Sequence, residues 1–371
     1  MHRLRTLTLA VVAGVLFLAL AGPAMASGGG RGDGAVYTLT NSASGNAVAV
    51  FERDRDGSLT PRGTVATGGN GTGAGLGSQG ALILDNDRLF AVNAGDNTIS
   101  LLQVDRRGKV RLADVDPSGG ARPISVTVHG KFVYVLNAGN ATTPANIRGF
   151  LALWGKLVPL PGSTRPLSAA APDPAQVEFS PNGRQLVVTE KATNMIVTYG
   201  VRHGYASGPN AQPSAGMTPF GFGFDRRGLL IVSEAFGGAP DASAVSSYSV
   251  SGGGTIAPIS ASVKTTETAA CWIVVTKNGR YTYTTNTGSN SITGYRIGSD
   301  GSLAILDADG KTADTGATPI DMALTKSSRI LYALAGGGPE INGFVVNGDG
   351  SLDPIETVGG LPAGTVGLAA S

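Results

Sequence analysis

Two glutamates occupy the same position in two similar stretches of the sequence. Glu190 ends the apolar run LVVTE, and Glu234 ends the run LIVSE. Runs of this length and composition are typical of short buried strands, so each carboxylate is expected at the end of a strand. Two neighbouring carboxylates can bind a cation, hold an amine or a sugar hydroxyl, or raise each other's pKa. We predict Glu190 as an acid/base residue and Glu234 as a ligand-binding residue.

Other polar residues end or precede runs of the same kind. Asn137 and Asn286 end the runs VYVLN and TYTTN, and Arg122 directly precedes the run PISVTV. Asparagine amides can bind a polar ligand, but asparagine also starts turns by hydrogen bonding its own backbone. The guanidinium of Arg122 suits an anionic ligand. We predict these three as further ligand-binding residues, with a turn role as the alternative for the asparagines.

Chemistry that depends on histidine or cysteine has little support in this sequence. Beyond the N-terminal residues only His129 and His203 remain, which are too few for the usual histidine-rich zinc site. The nearest match to a G-x-S-x-G nucleophile motif reads LGSQG, at residues 76–80, and Cys271 has no histidine in plausible reach. We therefore predict no metal and no cofactor, and a buried apolar role for Cys271.

The elements that position these residues recur seven times along the chain. Besides the strand-like runs, a glycine expected in a turn recurs at Gly57, Gly108, Gly155, Gly204, Gly254, Gly301 and Gly350. Both markers recur every 44 to 53 residues, a length that fits four short strands with their turns. We predict an all-β, seven-bladed β-propeller with four-stranded blades, because radial stacking buries the faces of such blades.

The two ends of the chain indicate how the ring closes. The first unit begins at residue 35 with a strand that corresponds to the second strand of the other units. Residues 365–370 resemble an inner strand such as residues 319–324. We therefore predict that the C-terminal strand becomes the inner strand of the first blade, which leaves the ring without a free edge.

The order of strands in a blade sorts the polar residues by face. Loops between second and third strands lie on the same face as the links between blades, so the predicted strand-end residues and Arg122 should surround one mouth of the central channel. The glycine-rich link at residues 67–80 is expected there as a connector. His129 and His203 belong to turns on the opposite face.

The N-terminus has the pattern of a secretory signal peptide. Arg3 and Arg5 precede an apolar stretch at residues 6–22, and residues 24–26 form an A-x-A cleavage site. We expect cleavage after Ala26, a disordered glycine-rich tail over residues 27–34, and one propeller domain over residues 35–371. The product is then extracellular, or periplasmic if the source has an outer membrane.

Bulk charge excludes some partners. The net charge is +2 and 15% of the residues are charged, which is not the strongly basic composition typical of nucleic-acid-binding proteins. No later apolar run is long enough to cross a bilayer. We expect a monomer without nucleic-acid partners or a membrane span.

Three segments resemble blades of a known family. They read SPNGRQLVVTEKATNMIVTYGV (residues 180–201), GKFVYVLNAGN (130–140) and GSNSITGYRIGSDGSLAIL (288–306). They are similar to the lactonase-type seven-bladed propellers, which include 6-phosphogluconolactonases and fungal carboxymuconate-lactonising enzymes. The YVTN-repeat surface proteins share the same blade motifs.

The resemblance implies an active site of one histidine, two arginines and one glutamate, and Glu190 matches the glutamate. The other positions differ in this sequence: Ile124 or Ser125 stands where the histidine is expected, Ala175 and Gln176 follow Pro174 in place of Arg-His, and Ala235 follows Glu234 in place of the second arginine.

Two functions follow from these observations. The first is a secreted, diverged propeller that binds a small molecule, a glycan or a protein on the face of Glu190 and Glu234. The second is a lactone hydrolase or lactonising enzyme with Glu190 as acid/base.

Overall fold

The computed structural model describes residues 33–371 of the chain. The predicted signal peptide, residues 1–26, lies outside the described residues, as do residues 27–32 of the predicted tail. No helix within the described part has the length and apolar character needed to cross a membrane.

Residues 33–371 form thirty strands and one 3₁₀ turn, Phe236–Gly238. In chain order the strands are β1 (Gly34–Leu39), β2 (Ala47–Arg53), β3 (Leu59–Ala66), β4 (Leu82–Asp85), β5 (Arg88–Asn93), β6 (Thr98–Val104), β7 (Val110–Pro117), β8 (Pro123–His129), β9 (Phe132–Asn137), β10 (Asn146–Leu153), β11 (Lys156–Pro159), β12 (Arg165–Pro166), β13 (Pro174–Phe179), β14 (Gln185–Glu190), β15 (Met195–Arg202), β16 (Tyr205–Pro213), β17 (Pro219–Phe224), β18 (Leu230–Glu234), β19 (Ala244–Val250), β20 (Ile256–Lys264), β21 (Ala270–Val275), β22 (Tyr281–Asn286), β23 (Ser291–Ile297), β24 (Leu303–Ile305), β25 (Ala313–Asp314), β26 (Pro319–Leu324), β27 (Ile330–Ala335), β28 (Glu340–Val346), β29 (Leu352–Val358) and β30 (Val366–Ala370).

These strands form seven antiparallel sheets, which confirms the predicted seven-bladed propeller. From the channel outwards, blade 1 is β30-β1-β2-β3, blade 2 is β4-β5-β6-β7, and blade 3 is β8-β9-β10 with β11 and β12 outside. Blade 4 is β13 to β16, blade 5 is β17 to β20, blade 6 is β21-β22-β23 with β24 and β25 outside, and blade 7 is β26 to β29.

The C-terminal strand closes the ring as predicted. Strand β30 pairs antiparallel with β1, so that Val36 lies opposite Ala370. Beyond the strand, Ser371 donates its N–H to the carbonyl oxygen of Ala35 at 2.9 Å. Its own carbonyl oxygen accepts a hydrogen bond of 3.3 Å from Nε of Arg53. The two ends of the described chain are therefore held together in one blade.

The second strands of the blades supply much of the core, because both of their faces pack against neighbouring blades. Leu186, Val187 and Val188 of β14 are all fully buried, which explains the nearly continuous apolar run. Several second strands also carry a buried tyrosine. The hydroxyl of Tyr134 donates to the carbonyl oxygen of Gly204 in the next blade at 3.0 Å. We call this contact a tyrosine latch.

The seven glycines that mark the repeat in the sequence all lie in turns between third and fourth strands. All seven have positive φ, from 76° at Gly155 to 98° at Gly57, a conformation that glycine adopts without steric cost. The turns between inner and second strands lie on this same face, which we call the turn face. The opposite face carries the links between blades and is called the loop face.

Candidate functional site

The inner strands of five blades begin with the same unusual backbone conformation at the loop face. The residue before the strand has a φ between 49° and 59° and is not a glycine: Arg122, Asp173, Thr218, Ala269 and Thr318. Positive φ is uncommon for such residues and is often retained at functional sites. In each blade the carbonyl oxygen of this residue accepts the N–H of the residue that follows the second strand. This repeated contact fixes the backbone around the mouth of the channel.

Arg122, one of the predicted ligand-binding residues, lies at this mouth and is exposed. Its backbone N–H donates to the side-chain oxygen of Asn97 at 2.7 Å. Within residues 33–371 its guanidinium has no hydrogen-bond partner or ion pair. The backbone is thus held in place while the charged group stays available to a ligand.

Lys191, which was not predicted, lies within electrostatic range of Arg122. Its ammonium donates a hydrogen bond of 2.7 Å to the carbonyl oxygen of Gly77. It lies 3.4 Å from the carboxylate of Asp173 and 4.8 Å from the ring centre of Phe220. Burial lowers the pKa of Lys191, Asp173 opposes this shift, and the positive charge of Arg122 adds a small lowering. Two cations and one carboxylate therefore share the mouth.

The glycine-rich link between blades 1 and 2 closes the channel beneath these charges. The Gln79 side chain donates to the carbonyl oxygen of Ile273 at 2.7 Å and accepts the Ile273 N–H at 3.0 Å. Its backbone N–H donates to Ala175 at 3.1 Å, and the indole of Trp272 donates to the Ser78 carbonyl oxygen at 3.1 Å. We call residues 76–80 the plug. The sequence predicted only a connector at residues 67–80, whereas the plug reaches from the link of blades 1 and 2 to the inner strands of blades 4 and 6.

Glu190 is fully buried at the end of β14. The backbone N–H of Ser168 donates to one carboxylate oxygen at 2.9 Å, and the hydroxyl of Thr193 donates to the other at 2.6 Å. The Ser168 hydroxyl makes a further hydrogen bond to the second oxygen. Glu190 therefore ties the link from blade 3 to the loop of blade 4.

Glu234 is also fully buried, and its contacts are of the same kind. One oxygen accepts from the N–H of Gly216 at 2.8 Å and from the hydroxyl of Ser246 at 2.6 Å, and the other accepts from the hydroxyl of Ser262 at 2.6 Å. A Cβ atom on Gly216 would lie 2.1 Å from this carboxylate, so a larger residue there would displace the carboxylate from its hydrogen bonds. In the described part of the chain, Glu190 and Glu234 have no hydrogen-bond partner in common.

Asn137 and Asn286 occupy the corresponding positions in blades 3 and 6 and are fully buried. The amide of Asn137 donates to Asn146 at 3.0 Å, and the amide of Asn286 donates to Ser291 and Thr293 at 3.0 and 2.8 Å. The side-chain oxygen of each has no hydrogen-bond partner among residues 33–371. Of the predicted ligand-binding residues, Arg122 alone is exposed at the mouth.

Cys271 and the histidines lie where the sequence analysis placed them. Cys271 is buried near the mouth, and burial raises the pKa of its thiol to about 11. His129 packs against Phe179 with 5.8 Å between ring centres, and His203 lies in a turn, both on the turn face. Residues 33–371 contain no group of three histidine, cysteine or acidic side chains arranged to hold a metal ion.

Two acidic residues line the channel itself. Glu178 is half-buried on the inner strand β13, where it accepts a hydrogen bond of 2.9 Å from Gln176, and burial raises its pKa from 4.5 to about 8. Asp321 on β26 is buried, and burial raises its pKa well above its usual range. Both carboxyl groups lie on inner strands, away from the exposed Arg122.

A separate cleft of about 370 Å³ lies between the outer strands of blades 6 and 7. Asp314, Glu340 and Glu356 line it, together with the apolar side chains of Phe344 and Ile355. Lys311 pairs with Asp314 at 2.9 Å. The cleft lies on the outside of the ring, apart from the cations at the mouth.

Comparison with known structures finds proteins that share this architecture. A 6-phosphogluconolactonase-like protein from Bacteroides fragilis, described as putative, is 18% identical, with a TM-score of 0.72 over 91% of this chain and 98% of its own. A similarly described protein from Bacteroides uniformis is 19% identical, with a TM-score of 0.72 over 91% of this chain and 99% of its own.

The periplasmic gluconolactonase of Pseudomonas aeruginosa is 15% identical, with a TM-score of 0.69 over 90% of this chain and 99% of its own. At these identities the likeness shows the fold. No curated protein sequence matches this one.

The sequence itself matches a family over part of its length. Residues 246–365 match the family described as "Lactonase, 7-bladed beta-propeller". This segment extends from β19 in blade 5 through blades 6 and 7 to the residue before β30. The match over these blades, together with the complete ring of seven, confirms the resemblance of this chain to the lactonase-type seven-bladed β-propellers.

Proposed function

We propose that this protein binds a small anionic ligand of the sugar-acid type at the loop-face mouth, through Lys191 and Arg122. The observation that carries the proposal is the pair of cations at a mouth closed from below by the plug. Asp173 compensates only one of the two positive charges, and a bound anion would relieve the repulsion that acts on the Lys191 ammonium. A ligand would rest on the plug rather than enter the channel.

The class of ligand is suggested by chemistry and by the relatives. Lysine and arginine are the usual partners of carboxylate and phosphate groups. The structural relatives described above are named for gluconolactone and 6-phosphogluconolactone. A sugar acid carries the carboxylate or phosphate that two cations select, and its hydroxyl groups suit the polar backbone of the loop face.

The experiment is a calorimetric titration with 6-phosphogluconate, gluconate and neutral glucose. Replacing Lys191 with Met, or Arg122 with Ser, should weaken binding of the phosphorylated acid at least about tenfold, because each charge-assisted contact contributes about 1.5–3 kcal/mol. Lys264→Ser serves as control, since Lys264 is exposed on the loop face at the end of β20. Equal binding by all three variants, or binding of glucose as tight as of the acids, would exclude this site.

Lactone hydrolysis with Glu190 as acid/base is the second candidate, because Glu190 matches the glutamate of the family's site. Its burial and its three hydrogen bonds favour a structural role over proton transfer. Hydrolysis of 6-phosphogluconolactone by the wild type, lost in a folded Glu190→Gln variant, would establish the enzyme instead of the binding protein.

We also propose that the protein acts outside the cytoplasm after cleavage behind Ala26. The proposal rests on the composition of residues 1–26. N-terminal sequencing of the protein recovered from the culture medium or periplasm should begin at Ser27. Recovery of the intact N-terminus from the cytoplasm would contradict it.

A further inference from the structure

A tryptophan protrudes from the turn face of blade 3. Trp154 and Gly155 form the two-residue turn between β10 and β11, and the tryptophan is 95% exposed, whereas the chain's other tryptophan, Trp272, is 5% exposed. A large aromatic side chain left in water gains nothing for folding. Its position therefore suggests a partner that covers it.

The backbone at Trp154 strengthens this argument. Trp154 has a φ of 51° and Gly155 a φ of 76°, so both central residues of the hairpin turn are left-handed. Asparagine, aspartate or glycine normally occupies the first position of such a turn, and a bulky residue there is an outlier. The protein thus keeps tryptophan at a position where asparagine would make a more stable turn.

The surroundings of Trp154 are basic. On blades 2 to 4 the exposed cations at this face include Arg106, Arg107, Lys109, Lys131, Arg184 and Arg202. Within residues 33–371 none of these six forms an ion pair, whereas Lys156, which directly follows the turn, pairs with Asp114 at 2.8 Å, and Arg88 at the turn of blade 2 pairs with Asp85. Tyr205, at the neighbouring turn, is 41% exposed and adds a second aromatic side chain.

Contacts between blades hold these groups in one continuous surface. Gly155 of blade 3 packs closely against the Gln103 side chain of blade 2, since a Cβ atom on Gly155 would lie 3.2 Å from it. Gln103 lies two residues before the turn that carries Arg106 and Arg107. On the other side, the latch from Tyr134 fixes the turn of Gly204 against blade 3, and Lys131 lies 5.5 Å from the ring centre of Phe132. We call Trp154, Tyr205 and the six cations the docking surface.

The two faces of the ring differ in charge although the whole chain is nearly neutral. The residues that connect consecutive strands on the turn face include twelve lysines and arginines and seven aspartates. The loops and links of the loop face contain three lysines and arginines and six aspartates and glutamates. The net charge of +2 therefore conceals a positive turn face and a loop face on which acids predominate away from Arg122 and Lys191.

We propose that the protein binds the surface of an anionic lipid bilayer through the docking surface, with Trp154 inserted at the level of the lipid headgroups. Tryptophan prefers the interface between membrane and water, and clustered basic residues are attracted to anionic lipids within a Debye length. A soluble polyanion would satisfy the cations but gives no reason for an exposed tryptophan. The absence of a membrane-spanning helix in residues 33–371 agrees with a peripheral contact.

The experiment measures sedimentation with vesicles of equal parts phosphatidylglycerol and phosphatidylcholine, and with vesicles of phosphatidylcholine alone. All variants carry the same N-terminus, so any contribution of that segment is shared. We expect binding to the anionic vesicles that weakens with added salt, and a blue shift of the tryptophan emission. Because Trp272 is buried, the shift reports on Trp154.

Three variants separate the docking surface from general effects. Trp154→Asn suits the left-handed turn, so it should preserve or raise the melting temperature while it removes the emission shift and weakens vesicle binding at least about tenfold. The double variant Arg106→Ser with Arg107→Ser should weaken binding about fivefold for each charge removed. The matched double variant Arg165→Ser with Lys264→Ser removes the same charge from the loop-face side and should bind as the wild type does.

Several outcomes would overturn the proposal. These are no binding to anionic vesicles, equal losses in both double variants, or binding that is indifferent to Trp154→Asn. Binding to dextran sulfate as tight as to vesicles, without an emission shift in either case, would assign the surface to a soluble polyanion instead.

Discussion

The hydroxyl group of Tyr332 donates a hydrogen bond of 2.6 Å to the carbonyl oxygen of Gly57 and so joins blade 7 to blade 1. The same latch recurs inside the ring between Tyr283 and Gly350, at 2.8 Å. The closing interface is therefore built like an ordinary interface between consecutive blades, although its two residues come from opposite ends of the chain.

Replacing Tyr332 with Phe should lower the free energy of unfolding by about 1–2 kcal/mol, because the buried carbonyl of Gly57 loses its donor. Tyr283→Phe is the matched control, since it removes the same contact one blade earlier. Equal losses in urea denaturation would show that the closing interface contributes like the others. No loss in Tyr332→Phe would mean that the latch at the closure is not formed in solution.

Deleting residues 366–371 should unfold the whole ring rather than fray one blade. Strand β1 would lose its partner β30, and the buried side chains of β30 would be lost from the two neighbouring blades. Circular dichroism and thermal melting of the truncated protein should show no cooperative native state. A truncated protein with the wild-type melting temperature would contradict this closure.

Glu178 should make stability depend on pH. Burial raises its pKa to about 8 in the folded protein, while in the unfolded chain it titrates near 4.5. Between these values the folded state holds more protons than the unfolded state, so stability falls as pH rises from about 5 to about 8.

Glu178→Gln should remove up to about 2–4 kcal/mol of that loss of stability. The difference in the free energy of unfolding between the variant and the wild type should therefore favour the variant more at pH 8 than at pH 5. Asp321, whose pKa is also raised, is still present in this variant, so part of the pH dependence of stability should remain. Urea denaturation at three pH values measures the effect, and Asp241→Asn, at an exposed position, is the control. Identical pH profiles for wild type and Glu178→Gln would refute a neutral carboxyl in the channel.

Glu234→Gln tests whether the strand-end glutamates hold the fold or bind a ligand. The amide replaces one acceptor oxygen, while Gly216, Ser246 and Ser262 all donate to the carboxylate. We expect a loss of about 2–4 kcal/mol in the free energy of unfolding and unchanged affinity for sugar acids at the mouth. Weaker ligand binding without a loss of stability would instead support the ligand-binding role predicted from the sequence.

The fold was predictable because its repeat is local. The seven repeated glycines lie in turns that need positive φ, and the strand-like runs are second strands buried on both faces. Turn geometry and burial are different physical requirements, and both recur with the same period along the sequence. Ring closure was predictable because the first unit lacks one strand and the last residues supply it. The match between residues 319–324 and 365–370 needed no knowledge of distant contacts.

The site was harder to predict because it depends on contacts between distant segments. The position of Glu190 at the end of a strand does not tell whether its side chain points into the mouth or into the gap between blades, where Ser168 meets it. Lys191, the next residue, carried no motif. The role of Gln79 depends on Ile273, far along the chain, and a loop rich in glycine gives no signal of that contact.

The split first blade has a consequence for biosynthesis. Strand β1 is made early, yet one of its edges has no partner until residues 366–370 have been synthesised. An unpaired strand edge readily associates with other chains, and a contact between the two ends of a chain is slow to form. The nascent protein is therefore exposed to aggregation until residues 366–370 have been synthesised, and this five-residue strand sets the earliest moment at which the native ring can exist.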